Sequence, residues 1–83
     1  MIGKLTGTLS GKQDGGLVIV DVGGVGYCVR VPLAFTLPEG SPIALFIHTA
    51  VRDDAIDLYG FLYADDLAFF RQLMTVSSVG PKT

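Results

Sequence analysis

The dipeptide Gly23-Gly24 constrains this chain more than any other feature of its sequence. It separates two runs rich in β-branched residues, 17–20 and 25–31. Two glycines in such a position are typical of a two-residue β-hairpin, because both central residues of the turn need a positive φ, which glycine adopts at little cost. We therefore predict that the two runs are paired antiparallel strands.

Three further runs are typical of strands: 2–9 and 55–61 alternate between two faces, and 43–51 is apolar and rich in β-branched residues. Residues 32–42 form a connection rich in proline and glycine, which favours turns and does not suit a long helix. Only Arg52, Asp53 and Asp54 separate the last two runs. The sequence therefore predicts a second hairpin with an acidic tip.

After Ala64 the apolar spacing changes to that of one helical face, carried by Leu67, Phe70, Leu73 and Met74. Asp65 or Asp66 is expected to cap the start of this helix, because a carboxylate accepts hydrogen bonds from the first backbone N–H groups and complements the helix dipole. We expect about ten helical residues, ending near residues 75–78, where valine and serine favour local bonding.

The predicted fold class is mainly β: a five-stranded OB-fold barrel followed by one α-helix. The chain has 83 residues, 49% of them hydrophobic, which is enough for one small domain and too few for two. Five short strands without a long crossover helix bury their apolar faces best by closing into a barrel. A small SH3-like barrel remains the alternative, because the sequence does not reveal how the strands close.

The charge pattern is asymmetric. The net charge is -2, and residues 1–51 are balanced, with three basic against three acidic side chains; residues 52–83 carry three basic against five acidic ones. Composition alone therefore lacks the basic footprint of a nucleic-acid-binding domain. No apolar stretch approaches a membrane span, and the start lacks the features of a secretory signal, so we expect no membrane association and a cytoplasmic location.

The reactive side chains predict no catalytic site, no metal site and no cofactor. Cys28 is the single cysteine and is expected to be a buried structural thiol. His48 lies in an apolar strand and is interpreted as a structural strand residue. The serines, His48 and the aspartates are not arranged in a recognisable triad, and Asp53, Asp54 and Asp57 lack the loop spacing of a calcium site.

The terminal residues Val79, Gly80, Pro81 and Lys82 follow the amphipathic helix and have the form of a helix-hairpin-helix turn. In such a turn glycine allows a phosphate to approach the backbone, the next helix offers free N–H groups, and lysine adds a positive charge. A simple turn between two helices is the equally open alternative. Because Pro81 suits the first position of another helix, we expect the sequence to be a fragment that includes the opening of a further domain.

Five motifs in register carry a resemblance that covers the whole chain. They are MIGKLTG (residues 1–7), VGGVGY (22–27), VRDDA (51–55), LYGF (58–61) and VGPKT (79–83). In this order they resemble the RuvA family, the bacterial subunits that recognise Holliday junctions. The resemblance implies an OB-fold domain over residues 1–63 and the truncated start of a helix-hairpin-helix domain over residues 64–83.

The resemblance further implies a non-catalytic, DNA-binding subunit of an ATP-driven branch-migration complex that acts in recombination and DNA repair. Asp53 and Asp54 match the family's acidic pin, and Val79, Gly80 and Lys82 match its DNA-contacting hairpin. The implied partners are four-way junction DNA, the RuvB ATPase motor, the RuvC resolvase and three further copies in a homotetramer. The chain has no Walker motif, so ATP hydrolysis would belong to the motor.

The rival hypothesis is an OB or SH3-like interaction module that binds protein or single-stranded nucleic acid. Such platforms use exposed aromatic rings beside basic residues. Tyr27, Phe46, Tyr59 and Phe61 lie in runs that core packing explains equally well.

Overall fold

The computed structural model describes residues 1–32 and 37–76. In chain order the elements are β1 (Lys4–Gln13), β2 (Leu17–Val22), β3 (Val25–Arg30), β4 (Pro42–Arg52), β5 (Ala55–Phe61) and α1 (Ala64–Val76). The strands form a closed barrel in the order β1-β2-β3-β5-β4. The mainly β prediction, with five strands followed by one helix, is confirmed.

The way in which the barrel closes selects the OB type over the SH3-like alternative. The first half of β1 pairs antiparallel with β4 and its second half pairs with β2, with a register shift between Leu9 and Gly11. The other closure is a parallel pairing of β3 with β5, where Arg30 lies opposite Tyr59. β1 thus joins β2 to β4, and the β3–β5 pairing joins the two strands that would otherwise be edges. The five strands therefore close without a free edge.

The predicted Gly23-Gly24 hairpin is confirmed. Val22 pairs with Val25, and the two glycines have φ of 60° and 94°, the positive values that this turn requires. The carboxylate of Asp21 accepts a hydrogen bond of 2.8 Å from the Gly24 N–H and so supports the turn from within the hairpin.

The barrel is filled by aliphatic side chains that alternate along the strands. Five of them are the largest fully buried residues: Leu9, Val20, Val29, Leu45 and Ile47. The same alternation corrects one prediction. Because Val29 points inward, its neighbour Cys28 points outward and is exposed, so the expectation of a buried thiol was wrong.

Predicted strand bounds differ from the observed ones mainly in β1. The run 2–9 predicted a strand that ends at Leu9, whereas β1 begins at Lys4 and continues to Gln13. The continuation pairs with β2 beyond the bulge, a long-range contact without a local signal. The prediction for 55–61 coincides with β5, and β4 is one residue longer at each end than predicted.

Helix α1 begins at Ala64, two residues earlier than a cap at Asp65 would allow. The Tyr63 carbonyl accepts hydrogen bonds from the backbone N–H groups of Asp66 and Leu67, and both aspartates lie inside the first turn. The capping prediction was therefore wrong, although two carboxylates in this turn still complement the positive end of the helix dipole. Across the described segments, no helix is long and apolar enough to cross a membrane.

Candidate nucleic-acid interface

The acidic tip predicted between the last two strands is present in the fold. Asp53 and Asp54 form the two-residue turn that joins β4 to β5, between the paired residues Arg52 and Ala55. Both side chains are exposed. Neither residue has a positive φ, so this turn forms without glycine. The fold therefore presents two neighbouring carboxylates at the end of a hairpin.

An ion pair lies directly behind the tip. The Arg52 guanidinium is 2.7 Å from the Asp57 carboxylate, and the two side chains are 63% and 29% exposed. Asp57 thereby neutralises the nearest cation, while Asp53 and Asp54 take part in none of the described ion pairs. Three carboxylates against one guanidinium leave the end of the hairpin with an excess of negative charge.

The hairpin has its last anchor on the barrel at Thr49. Its hydroxyl donates to the Ile2 carbonyl at 2.7 Å and accepts from the Ile2 N–H at 3.2 Å. One residue pair further on, from Ala50 and Asp57 to the tip, β4 and β5 pair only with each other in the part of the chain that the structure describes. These three residue pairs, at the rise per residue of an antiparallel strand, form a two-stranded ribbon about 10 Å long.

Aromatic rings fix α1 against the outer face of the same hairpin. We call the cluster of His48, Tyr59, Phe61 and Phe70 the aromatic seam. The Phe70 ring from α1 lies 5.3 Å from the Tyr59 ring and 5.1 Å from the Phe61 ring, between centroids. It meets the His48 ring edge-on at 5.5 Å. These distances are those of favourable aromatic pairs, so the seam holds the helix and the hairpin in one orientation.

His48 is the polar member of the aromatic seam. The Arg71 Nε donates a hydrogen bond of 3.3 Å to the His48 Nδ1. Burial of the imidazole and the positive charge of Arg71 both lower the pKa of His48 from its ordinary value. The neutral imidazole is therefore the form that fits this contact, since a protonated ring would lose its acceptor and face a second cation.

The second predicted DNA contact, Val79, Gly80 and Lys82, lies outside the described residues, as does the predicted turn into a further helix. Within residues 1–32 and 37–76, no group of three or more histidine, cysteine, aspartate or glutamate side chains converges on a metal site.

Comparison with known proteins gives this architecture a family. The model of the RuvA N terminal domain matches residues 1–60. The Holliday junction branch migration complex subunit RuvA of Leptothrix cholodnii is 52% identical over 100% of this chain and 44% of its own length. The subunits of the same name from Pelobacter propionicus and Pseudomonas fluorescens are 46% and 48% identical over 99% of this chain, and over 42% and 41% of their own lengths.

The chain belongs to the RuvA family. It spans less than half the length of these curated RuvA relatives. The match to the family model covers residues 1–60, which include β1 to β4 and all of β5 except Phe61.

Apart from Arg52, which pairs with Asp57 behind the acidic tip, three cations of this RuvA-family chain lie around the aromatic seam. Arg30 is opposite Tyr59, and Arg71 contacts His48. The Lys4 Nζ lies 5.4 Å from the centre of the Phe46 ring, on the strand neighbouring the hairpin. The surface thus carries an acidic projection at the end of the hairpin and three cations around the aromatic seam, although the net charge of the chain is negative.

Sequence reasoning missed the aromatic seam. It placed Tyr59 and Phe61 either in the barrel core or on an exposed platform for nucleic-acid bases. Both rings are instead half-buried beneath Phe70. The helical spacing of Phe70 was a usable signal that this residue is covered. Nothing local indicated its partners on β5, because the contact depends on how the helix returns to the barrel.

Proposed function

We propose that this chain is the junction-recognising N-terminal part of a RuvA subunit that binds four-way DNA junctions. The observation that carries the proposal is the exposed pair Asp53 and Asp54 at the end of a projecting hairpin. The names of the relatives, which describe subunits of a Holliday junction branch migration complex, support the same function. In this assignment residues 1–63 are the OB-fold domain and 64–83 the start of a helix-hairpin-helix domain.

The electrostatics of the surface fit a junction better than a simple duplex. Two unit charges 4 Å apart interact by about 1 kcal/mol in water and about 4 kcal/mol at an effective dielectric constant of 20. In a tetramer, four acidic tips would therefore repel phosphates from the crossover and keep the strands apart. The cations around the aromatic seam, together with Lys82, would attract the phosphates of the arms.

In this proposal, partner proteins hydrolyse the ATP that drives branch migration and cleave the junction. The tetramer would bind the RuvB ATPase motor and work alongside the RuvC resolvase, and the chain itself would contribute recognition and scaffolding without catalysis. Val79, Gly80 and Lys82 would contact phosphate through the helix-hairpin-helix turn. A complex acting on chromosomal DNA would work in the cytoplasm.

The test replaces both carboxylates by amides of the same shape in the full-length subunit, Asp53→Asn with Asp54→Asn. We expect four-way junction binding to persist, with affinity at low salt raised severalfold because repulsion is lost, and the rate of branch migration to change. The matched control is Asp65→Asn with Asp66→Asn, which removes the same charge from another exposed acidic pair.

Two results would contradict the proposal. Migration rates that match those of the unmodified subunit at every salt concentration would remove the role of the tip. A gel-shift series in which single strands or duplex bind as tightly as a four-way junction would favour the interaction-module hypothesis instead.

A further inference from the structure

The ribbon that carries the acidic tip has two different faces. Along β4 the residues that point into the barrel are Ile43, Leu45 and Ile47, so the same alternation brings Val51 onto the inward-facing side beyond the barrel rim. On β5 it does the same for Ile56, two residues from the buried Leu58. The opposite face carries the ion pair of Arg52 and Asp57.

Val51 and Ile56 are directly opposite each other and uncovered. They are a registered cross-strand pair, and their exposed fractions are 65% and 66%. Side chains in such a pair touch, so together they form one continuous apolar surface. This surface lies immediately behind the two aspartates, in a segment that is otherwise the most acidic on the described chain.

The chemistry around this apolar pair restricts what it can contact. The carboxylates of Asp53 and Asp54 repel phosphate, so the part of a nucleic acid that can approach the ribbon closely is the base surface. At the crossover of an open four-way junction, the last base pair of each arm has lost a stacking neighbour and presents an apolar face. Aliphatic side chains are used in this way by proteins that insert wedges between base steps.

We propose that Val51 and Ile56 form an apolar wedge that packs against the exposed face of the base pair next to the crossover. The inference rests on the proposed function and adds to it a base-contacting surface: the aspartates exclude phosphates, and the aliphatic pair contacts the bases that this exclusion leaves accessible. A second copy of the chain is a weaker occupant, because two such side chains expose on the order of 200 Å². A stable protein interface needs roughly 1,000 Å² or more.

The experiment uses the full-length subunit and a static four-way junction with 2-aminopurine in the base pair next to the crossover. Its fluorescence rises when the base loses its stacking neighbours. We expect the unmodified subunit to raise the fluorescence above that of the free junction. The double variant Val51→Thr with Ile56→Thr should lose most of this increase. Junction affinity should change by less than about threefold, because phosphate contacts in the arms dominate binding.

Three controls accompany the double threonine variant. Val25→Thr changes a residue that is 54% exposed beside the turn of the other hairpin, and it should leave the signal unchanged. Val51→Leu with Ile56→Leu keeps the surface apolar and should retain the enhancement. A junction with 2-aminopurine in the middle of an arm should not respond to any variant.

The outcomes separate this inference from the proposed function. If the unmodified subunit does not prefer junction to duplex, the proposed function fails and the wedge fails with it. If the preference persists and the threonine variant keeps the full fluorescence enhancement, or the leucine variant loses it, the wedge alone is wrong. Sedimentation showing that the threonine variant forms smaller oligomers would assign the pair to a subunit interface and also overturn the inference.

Discussion

The barrel contains two hairpins with two-residue turns, and they use their carboxylates in opposite ways. In the β2–β3 hairpin, Asp21 turns inward and accepts a hydrogen bond from Gly24, so its charge supports the turn. In the β4–β5 hairpin, Asp53 and Asp54 form the turn itself, and their charges face solvent.

From this difference we predict that the acidic tip contributes little to folding. A turn built on glycine with positive φ supplies the geometry in the first hairpin. The second hairpin turns without glycine, and the two carboxylates of its turn are in none of the described ion pairs. Residues that contribute little to stability at such a projecting position are available for binding, which agrees with the role proposed above for the second hairpin.

The largest effect is expected where β1 crosses the β2–β3 hairpin. A Cβ atom at Gly7 would overlap the backbone carbonyl of Asp21, which cannot move aside as a flexible side chain could. We expect Gly7→Ala to lower the free energy of unfolding by about 3 kcal/mol, measured by urea denaturation. Gly11→Ala is the control on the same strand, because its Cβ would meet only the Ile19 side chain at 3.6 Å or more. Equal effects of the two substitutions would contradict this explanation.

The next effect compares the two turns directly. Gly24 has a φ of 94°, so Gly24→Ala should cost about 1–2 kcal/mol of stability, the penalty of a left-handed conformation for a residue with a Cβ. Asp53→Ala with Asp54→Ala should change stability by less than about 0.5 kcal/mol, because both side chains are exposed. Thermal unfolding of both variants measures the difference, with Gly3→Ala as a control in open space. A large loss from the aspartate variant would mean that the tip is structural.

A smaller effect is expected from the ion pair behind the acidic tip. Arg52→Gln removes an exposed partner of Asp57, so we expect stability to fall by about 0.2–1 kcal/mol at low salt, and the loss to shrink as salt screens the pair. Arg30→Gln is the control, since its guanidinium belongs to none of the described ion pairs. A loss that is independent of salt would indicate packing of the side chain and not its charge.

The smallest effect concerns the base of the β4–β5 hairpin, where His48 faces Arg71 from α1 and Tyr59 from β5. Because the pKa of His48 is lowered in the folded chain from 6.5, the unfolded chain binds this proton more readily. The stabilisation is therefore complete above about pH 6.5 and decreases as the pH falls toward the folded-state pKa.

The measurement is the change in thermal midpoint between about pH 7.5 and pH 5.5, a range in which histidine is the side chain that ordinarily titrates. His48→Gln keeps an acceptor for Arg71 and cannot be protonated, so it should show a smaller decrease than the unmodified chain. Identical decreases in the two proteins would assign the pH dependence to other groups.

Much of the local structure could be predicted from particular residues. Gly23-Gly24 predicted its hairpin, and the apolar residues of 55–61 predicted β5 with its correct bounds. The helical spacing of Leu67 and Phe70 predicted α1. These features depend on turn chemistry and side-chain period, which act over a few residues. The position of Asp53 and Asp54 at the tip followed in the same way, while their proposed role came from the family resemblance.

What only the tertiary structure decided involves residues far apart in the chain. The parallel pairing of Arg30 with Tyr59 selected the OB closure, and the return of α1 to the barrel created the aromatic seam. Cys28 is exposed because the neighbouring strands determine which face of β3 points into the barrel. Val51 and Ile56 are uncovered because the β4–β5 hairpin extends beyond the end of the barrel. The sequence alone determined the type and approximate position of the strands, turns and helix, since those preferences are local. Which side of each element is covered depends on which distant segments pack against it.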